Sequence, residues 1–293
     1  MLFSVFTPTY NRANTIGRTY EHLCKQTYHD FEWIVVDDGS TDGTEELIQQ
    51  WLRENKIRIV YIKQLNGGKH RAFNKAVQIA KGKIFICLDS DDYYVENALT
   101  VIAFYYEEVK DNEGIAGFSC LSANCQGEVI GTRLPADRFI SSHYDLYNHY
   151  KVKGDKGLIY YTDILRQYPF PEFENEKFVT EALVLNRISR QYKLYCINQI
   201  LCIVSYQNDG LSSKYAQLCE KNPHGYALYL NELNYYPLGV RDYIFNNGRY
   251  VKFTCLAGLK VKKNWKEVIG RRWYFFLAKW LGCAMIWKWK LLR

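Results

Sequence analysis

The chain has 293 residues, of which 48% are hydrophobic and 24% charged, a globular composition that excludes an intrinsically disordered protein. Nine scattered cysteines without a C-x-x-C pair, and an N-terminus without a signal-peptide pattern, predict reduced thiols in a cytosolic setting and exclude a disulfide framework. The net charge of +7 arises in residues 249–293, because residues 1–248 carry 26 basic and 30 acidic side chains.

The first 110 residues alternate between short apolar strands and amphipathic helices. We predict strands over residues 2–7, 31–36, 57–62 and 83–88. We predict helices over 14–26, 41–55 and 69–81, with Thr41 or Asp42 as the cap of the second. All-apolar strands that alternate with helices through short links are typical of a doubly wound sheet with helices on both faces.

The pattern is less regular after residue 114. We predict two strands around a turn at 124–127, an irregular segment over 139–171, a helix over 173–189 and two strands over 192–198 and 201–206. No repeat or linker precedes residue 210. We therefore assign residues 1–210 to one α/β domain and residues 211–293 to a helical C-terminal extension.

Polar segments follow each of the four predicted strands of the first half. They are TPTYNR (7–12), DDGSTDGT (37–44), LNGGKHRAFN (65–74) and DSDD (89–92). Ligands of open α/β sheets bind at the carboxyl ends of the strands. We therefore expect these four segments to converge on one edge of the sheet and to form the functional site.

The acidic triplet Asp89, Asp91 and Asp92 directly follows a buried strand. Three carboxylates so close together repel one another unless they share a cation, and Mg²⁺ is commonly held by one or two carboxylates plus substrate phosphates. Such an ion makes a diphosphate a better leaving group, because it neutralises the charge that develops on the leaving oxygen. An acidic helix cap at the surface is the alternative interpretation.

The segments after the second and third strands suit a nucleotide. A carboxylate at Asp37 or Asp38 can accept the N3–H of a uracil ring, and Tyr10 offers a face on which a base can stack. A simple turn and cap is the alternative for this DDGS segment. The N–H groups of Gly67 and Gly68, with Lys69 at the start of a helix, suit a phosphate. The spacing matches neither a Walker A loop nor a dinucleotide fingerprint.

Residues 1–110 resemble the nucleotide-binding half of the family 2 glycosyltransferases. The resemblance rests on four segments in this order: TPTYNR, FEWIVVDDGSTDGT, GGKHRAFNKA and GKIFICLDSDD. The resemblance implies a GT-A fold with a mixed sheet flanked by helices, in which residues 111–210 form the acceptor and catalytic half. It also implies a nucleotide-sugar donor, most often a UDP-sugar, a divalent metal and inversion at the anomeric carbon.

The resemblance assigns roles by motif position. Asp91 binds the metal, Mg²⁺ or Mn²⁺, and Asp38 pairs with the edge of the base. The other implied donor contacts are Thr7, Pro8, Tyr10, Arg12, Gly68, Lys69, Arg71, Asp89 and Ser90. Phe73 stands where many relatives have an arginine.

Inverting transfer requires a base that takes the proton of the acceptor hydroxyl. The family places it at the start of a helix in the second half, where this chain has Glu181, with Arg187 in the register of the family's arginine. Thr180 replaces the first member of the family's usual acidic pair. The alternatives for the base are Glu172, Glu174 and Glu176, and the candidates for the acceptor site are Asp155, Lys156 and Glu176.

The C-terminal extension combines basic and aromatic residues. Residues 249–293 contain 12 Lys or Arg, one acid and five of the seven tryptophans. The segment 273–287 carries one charge, Lys279, and as a helix of about 22 Å it is short for a bilayer core of about 30 Å. An interfacial helix is predicted instead, with headgroup contacts from Arg271, Arg272, Lys279, Lys288 and Lys290. Packing of the aromatic side chains on the protein itself is the alternative.

These features predict a sugar transferase on the cytoplasmic face of the membrane, with a glycan or lipid-linked acceptor in surface polysaccharide synthesis. Nucleic acid is disfavoured as a partner, because the chemistry of residues 1–210 is that of a sugar-nucleotide site. A nucleotidyltransferase is disfavoured because no glycine-rich triphosphate loop follows the first strand. A non-catalytic subunit of a glycan-synthesis complex is disfavoured by the presence of Asp38, Asp91 and Glu181.

Overall fold

A computed structural model describes residues 1–205, 214–259, 268–269 and 272–291, without the side chains of residues 272 and 273. The chain divides into two compact units. The first comprises Met1–Pro169 and Leu185–Asn208, and the second Phe170–Val184 and Asp209–Arg293. The second unit thus includes Phe170–Val184, which lies within the domain predicted over residues 1–210.

The N-terminal part of the first unit is a parallel sheet with helices in its crossovers. The strands are β1 (Phe3–Thr9), β2 (Phe31–Asp37), β3 (Ile59–Lys63) and β4 (Ile84–Cys87), in the order β3-β2-β1-β4. The helices are α1 (Ile16–Cys24), α2 (Thr44–Glu54) and α3 (Lys69–Ile79). Asp42 stabilises the start of α2, since its carboxylate accepts a hydrogen bond from the Thr44 N–H at 3.1 Å. The predicted alternation is confirmed.

The same sheet continues with strands from later in the chain. These are β5 (Tyr93–Tyr94), β6 (Ile115–Ala123), β7 (Phe139–Ser141), β8 (Lys156–Tyr161) and β9 (Lys193–Ile203), with α4 (Ala98–Val109) between β5 and β6. The order beyond β4 is β8-β6-β9-β5, and β7 also pairs with β9. Because β8 is antiparallel to both its neighbours, the sheet is mixed, and the predicted fold class is confirmed.

Several predictions for this half are wrong. Residues 139–171 contain β7, α5 (His143–Asn148), β8 and α6 (Thr162–Gln167), and residues 127–134 contribute only a bridge from Val129 to Ala123. The two strands predicted over 192–206 are the single strand β9. Register shifts of β9 against β6 accommodate its polar middle, which interrupted the apolar pattern. The helix predicted over 173–189 is α7 (Glu181–Ser189).

A buried aromatic cluster and one buried carboxylate fix the parallel strands. Trp33 in β2 is fully buried, and the ring of Tyr20 stacks against it and against Trp51. Glu32, 1% exposed, accepts hydrogen bonds from the Ser4 hydroxyl and from the Lys81 N–H, both at 2.7 Å. These contacts tie β1, β2 and the entry to β4 together at the end of the sheet opposite the four polar loops.

The described part of the second unit is helical, as predicted for the extension. After α7 it contains α8 (Tyr215–Lys221), α9 (Pro223–Glu232), a 3₁₀ turn at Leu233–Tyr235, α10 (Val240–Leu256) and α11 (Arg272–Leu291). Gly282 lets α11 approach α10 closely, because a Cβ at this position would lie 2.6 Å from the Val251 Cβ. None of the helices in the described ranges is long and apolar enough to cross a membrane.

Candidate functional site

The loops that follow β1 and β2 are joined by hydrogen bonds. The Asn11 N–H donates to the Ser40 hydroxyl at 2.9 Å, and the Asn11 side chain accepts from the Thr41 N–H at 2.8 Å. The Arg12 N–H donates to the Thr44 hydroxyl at 3.1 Å. This region holds Tyr10 with 48% of its surface exposed, beside the half-buried Pro8. The first two polar segments therefore form one continuous rim, as predicted.

Asp37 is a structural residue of the turn after β2. Its side chain is fully buried, accepts a hydrogen bond from the Ser40 N–H at 2.7 Å and accepts a second from the Tyr61 hydroxyl at 2.9 Å. Gly39, two residues further along the same turn, has φ +88°, a backbone conformation that favours glycine. The turn interpretation of DDGS is thus correct for Asp37, whose two carboxylate oxygens are occupied.

Asp38 organises the loop that precedes α3. Its Oδ1 accepts hydrogen bonds from the Gln64 side chain and the Gly67 N–H, and its Oδ2 accepts one from the Gly68 N–H, all at 2.8 Å. The prediction that both glycine N–H groups are available to a phosphate is therefore wrong. Sequence reasoning also missed Gln64 and Asn66, whose side chain donates to the Asp38 carbonyl oxygen at 3.0 Å. Their position directly after β3 was the available signal.

Replacing Asp38 by alanine should lower the free energy of unfolding by roughly 1–3 kcal/mol, because the Gly67 and Gly68 N–H groups lose their buried acceptor. The measurement is urea unfolding followed by circular dichroism. Asparagine should have an intermediate effect, since its amide oxygen can replace only one of the two carboxylate oxygens. An alanine variant as stable as the wild type would contradict this role.

The loop after β3 is linked to the loop after β4 by one ion pair. Lys69, the first residue of α3, places its Nζ 2.7 Å from the Asp89 carboxylate. Gly68 caps this helix with φ +94°, and Arg71 lies against Gly67, where an added Cβ would be 2.8 Å from the Arg71 Cδ. Together with the Asp38 contacts, this pair connects all four strand ends, as predicted.

The acidic segment after β4 carries more negative charge than its surroundings neutralise. Burial, followed by the neighbouring Asp89 carboxylate, raises the pKa of Asp91 and raises the pKa of Asp92 to about 7. Arg12 and Lys69 act on Asp91 in the opposite direction. Ser90 between the carboxylates is 6% exposed. A nearby divalent cation would stabilise the charged forms of these carboxylates, so their chemistry is compatible with a hard metal ion.

Side chains from other elements hold the acidic segment in place, and sequence reasoning did not identify them. The Arg18 guanidinium donates to the Asp91 carbonyl oxygen at 2.6 Å, and the Thr19 hydroxyl donates to the Asp92 carbonyl oxygen at 2.8 Å. The Asp92 carboxylate accepts the Ser205 N–H at 3.0 Å, next to the end of β9. Within the described residues, no group of three His, Cys, Asp or Glu side chains is arranged to hold a metal.

Thr7 and Lys156 also do not have their predicted contacts. Thr7 is fully buried and its hydroxyl accepts the Trp33 indole N–H at 2.9 Å, so its side chain does not face a donor. Lys156, 6% exposed, donates its ammonium protons to main-chain carbonyls, with Ile130 at 2.8 Å and Lys153 at 2.9 Å. It ties two loops together instead of binding an acceptor. Asp155 beside it is exposed.

Glu176 is a helix-capping residue and not a free carboxylate. It is 4% exposed, and its two oxygens accept the N–H groups of His224 at 2.7 Å and Gly225 at 3.0 Å at the start of α9. Pro223, in the first turn of this helix, has no N–H to satisfy. Both the acceptor role and the alternative base role of Glu176 are therefore wrong, because a base needs a free, accessible oxygen.

Replacing Glu176 by alanine should lower the free energy of unfolding by about 1–2 kcal/mol, since two N–H groups at the start of α9 lose their cap. Thermal unfolding of the purified variant measures the effect. Glu174→Ala is the matched control, because Glu174 is exposed in the same segment. Equal stability of both variants would show that the cap contributes nothing.

The predicted base, Glu181, begins α7 and is exposed. An acidic side chain in the first turn is favoured by the helix dipole. The preceding Thr180 is buried, and its hydroxyl accepts a hydrogen bond from Tyr215 at 3.2 Å. Glu172 and Glu174 are exposed as well. Thr180, which replaces the family's usual acid, thus fixes the start of α7 to α8.

The four linked loops lie in a segment with known relatives. Residues 4–135 match the family described as Glycosyl transferase family 2. This segment is a family 2 glycosyltransferase domain. The resemblance predicted from the four motifs is confirmed for this segment. Several curated relatives match 33–38% of this chain with 33–42% sequence identity. The matched region makes up only 10–36% of the length of these relatives.

Longer matches come from one curated relative and two solved structures. TuaG of Bacillus subtilis (strain 168), named as a glycosyltransferase of teichuronic acid biosynthesis, is 29% identical over 72% of this chain and 82% of its own. The crystal structure of S. aureus TarS 1–349 in complex with UDP-GlcNAc matches with a TM-score of 0.63 and 20% sequence identity. The match covers 98% of this chain and 89% of the TarS chain. A mannosyltransferase from Pyrobaculum calidifontis in complex with GDP-Man and Mn²⁺ matches with a TM-score of 0.55 and 15% sequence identity. The match covers 96% of this chain and 86% of the mannosyltransferase chain. The structures support the GT-A fold.

Proposed function

We propose that this family 2 protein is an inverting glycosyltransferase. It transfers a sugar from a nucleotide-sugar, most simply a UDP-sugar, to a glycan or lipid-linked acceptor in surface polysaccharide synthesis. The observation that carries the proposal is the unbroken series of contacts that joins the four strand-end loops into one rim. The UDP-GlcNAc complex of TarS and the biosynthetic role in the name of TuaG support the donor and the pathway class.

The donor's nucleotide occupies the part of the rim formed by the loops after β1 and β2. The exposed ring of Tyr10 stacks on the base, and Asp38 accepts the N–H of its edge. Its Oδ2 accepts only the Gly68 N–H among the described contacts, which leaves lone-pair capacity for this bond. Lys69 and Arg12 supply positive charge where the diphosphate lies, and Asp89 lies near the ribose.

A divalent metal, Mg²⁺ or Mn²⁺, fits beside the diphosphate. Asp91 is the residue that would hold it. When bound, the ion would supply positive charge that stabilises the departing diphosphate. The carboxylates are suited to this ion because burial and mutual repulsion make their charges costly without a cation. Arg18 positions the segment through the main-chain carbonyl of Asp91.

The chemistry needs one proton acceptor. Glu181 takes the proton of the acceptor hydroxyl while that oxygen attacks the anomeric carbon from the face opposite the diphosphate. The bond from the anomeric carbon to the diphosphate oxygen breaks, its electron pair leaves with the nucleoside diphosphate, and the new glycosidic bond has inverted configuration. Only one carboxylate is required, which agrees with a single exposed acid at the start of α7.

A donor screen tests the proposal. The purified protein is incubated with UDP-, GDP- and CMP-sugars and Mn²⁺, and its thermal unfolding temperature and the release of the corresponding nucleotide, UDP, GDP or CMP, are measured. One nucleotide class should raise the unfolding temperature, and EDTA should abolish the increase. Binding without turnover on any acceptor would favour a non-catalytic subunit. Release of inorganic diphosphate from a nucleoside triphosphate and a sugar phosphate would favour a nucleotidyltransferase.

A further inference from the structure

The C-terminal helix α11 has two apolar faces, and within the described residues only one of them is covered. Phe275 and Ala278 are 4% and 0% exposed and belong to the core around α10. On the opposite side lies an exposed set of large apolar residues. This apolar stripe consists of Phe276, Trp280, Trp287 and Leu291, which are 65–68% exposed. The alternative interpretation, packing on the protein itself, therefore holds for the covered face, and the predicted membrane contact concerns the exposed face.

The stripe is continuous along the helix. With 3.6 residues per turn, its four side chains fall within about 60° of one another around the helix axis. They extend over about 22 Å of its length at 1.5 Å per residue. A row of aromatic and aliphatic side chains this long and this exposed is costly in water and marks a binding surface.

Charge complementarity identifies what binds there. The exposed residues Lys279 and Lys290 lie along one edge of the stripe and Lys288 along the other. Residues 272–291 contain no acidic side chain. Self-association through this face would therefore bring lysines together without a carboxylate to pair with them. Tryptophan between lysines is instead the pattern of an interfacial helix on anionic lipid.

We propose that the apolar stripe of α11 and its flanking lysines bind the surface of an anionic lipid bilayer. Phe276, Trp280 and Trp287 insert at the boundary between headgroups and acyl chains, and the lysines contact lipid phosphates. The opposite face of α11 stays packed on α10, so the helix lies on the bilayer without crossing it. The surface itself is independent of the donor chemistry. Its use in delivering a lipid-linked acceptor rests on the proposed function.

The test uses the full-length protein without nucleotide. Its binding to vesicles of phosphatidylcholine, with or without an equimolar amount of phosphatidylglycerol, is measured by cosedimentation at low and high salt. We expect at least about tenfold tighter binding to the anionic vesicles, reduced by salt. The double variant Trp280→Ser/Trp287→Ser should bind at least about tenfold more weakly. Phe104→Ser, which alters an aromatic residue of α4 that is 58% exposed, should bind like the wild type.

Two controls keep the outcomes distinct. Circular dichroism and the UDP-induced thermal shift should be unchanged in the tryptophan variant, so that lost vesicle binding is not lost folding or lost donor binding. The proposal is overturned if the wild type does not sediment with anionic vesicles or if the tryptophan variant sediments equally well. It is also overturned if the wild type forms a dimer that the variant abolishes while vesicles are ignored. None of these results would alter a positive donor screen.

Discussion

Replacing Asp91 by asparagine should lower the rate of sugar transfer by at least about a hundredfold and leave the fold intact. The variant keeps the shape of the side chain and keeps the main-chain carbonyl that accepts the Arg18 hydrogen bond. It removes the charge that would hold the metal against the diphosphate. The measurement is nucleoside diphosphate release at saturating donor and Mn²⁺, with circular dichroism as the test of folding.

Donor binding provides a second readout for the same variant. Mn²⁺ should increase the UDP-induced thermal shift of the wild type but not that of Asp91→Asn. Asp163→Asn is the matched control, because Asp163 is an exposed acid of α6 that pairs only with Arg166 among the described contacts. Full activity of Asp91→Asn, or of the wild type in EDTA, would show that this carboxylate holds no essential metal.

Replacing Glu181 by glutamine should abolish most transfer while donor binding persists. An amide cannot accept the proton of the acceptor hydroxyl, and the loss of a general base typically costs about 10² to 10⁴ in rate. Glu181 is exposed at the start of α7, and glutamine keeps the shape of its side chain, so the fold should be retained. The measurement is kcat with saturating acceptor, together with the Kd for UDP from calorimetry.

The neighbouring glutamates are the controls for this assignment. Glu174→Gln should transfer sugar at the wild-type rate, because its exposed carboxylate has no assigned chemistry. Glu176→Gln should be less stable yet keep kcat at temperatures where it is folded, since Glu176 caps α9. If Glu181→Gln is fully active and Glu174→Gln is not, the base is Glu174.

The parallel half of the sheet was predictable because local rules and tertiary structure agree there. All-apolar strands and amphipathic helices alternate through short links, and this pattern has one common solution. The polar segments had to meet, because the carboxyl ends of parallel strands lie at one edge. The second half was less predictable. In β9, for example, the polar pair Asn198 and Gln199 looks like a turn but lies at a bulge within one strand.

The fold class, the family and the carboxylates of the rim could be recognised from the amino-acid sequence, because they depend on residue types in a fixed order. The role of each carboxylate depends on the hydrogen-bond donors that the folded chain places around it. Asp37 and Glu176 are both acids in sequence, yet both are satisfied inside the folded protein. The Ser40 N–H and the Tyr61 hydroxyl donate to Asp37, and two N–H groups at the start of α9 donate to Glu176. The structure likewise divided α11 into a packed face and an exposed stripe. Which face of a helix is covered depends on its neighbours, and here α10 packs against one side only.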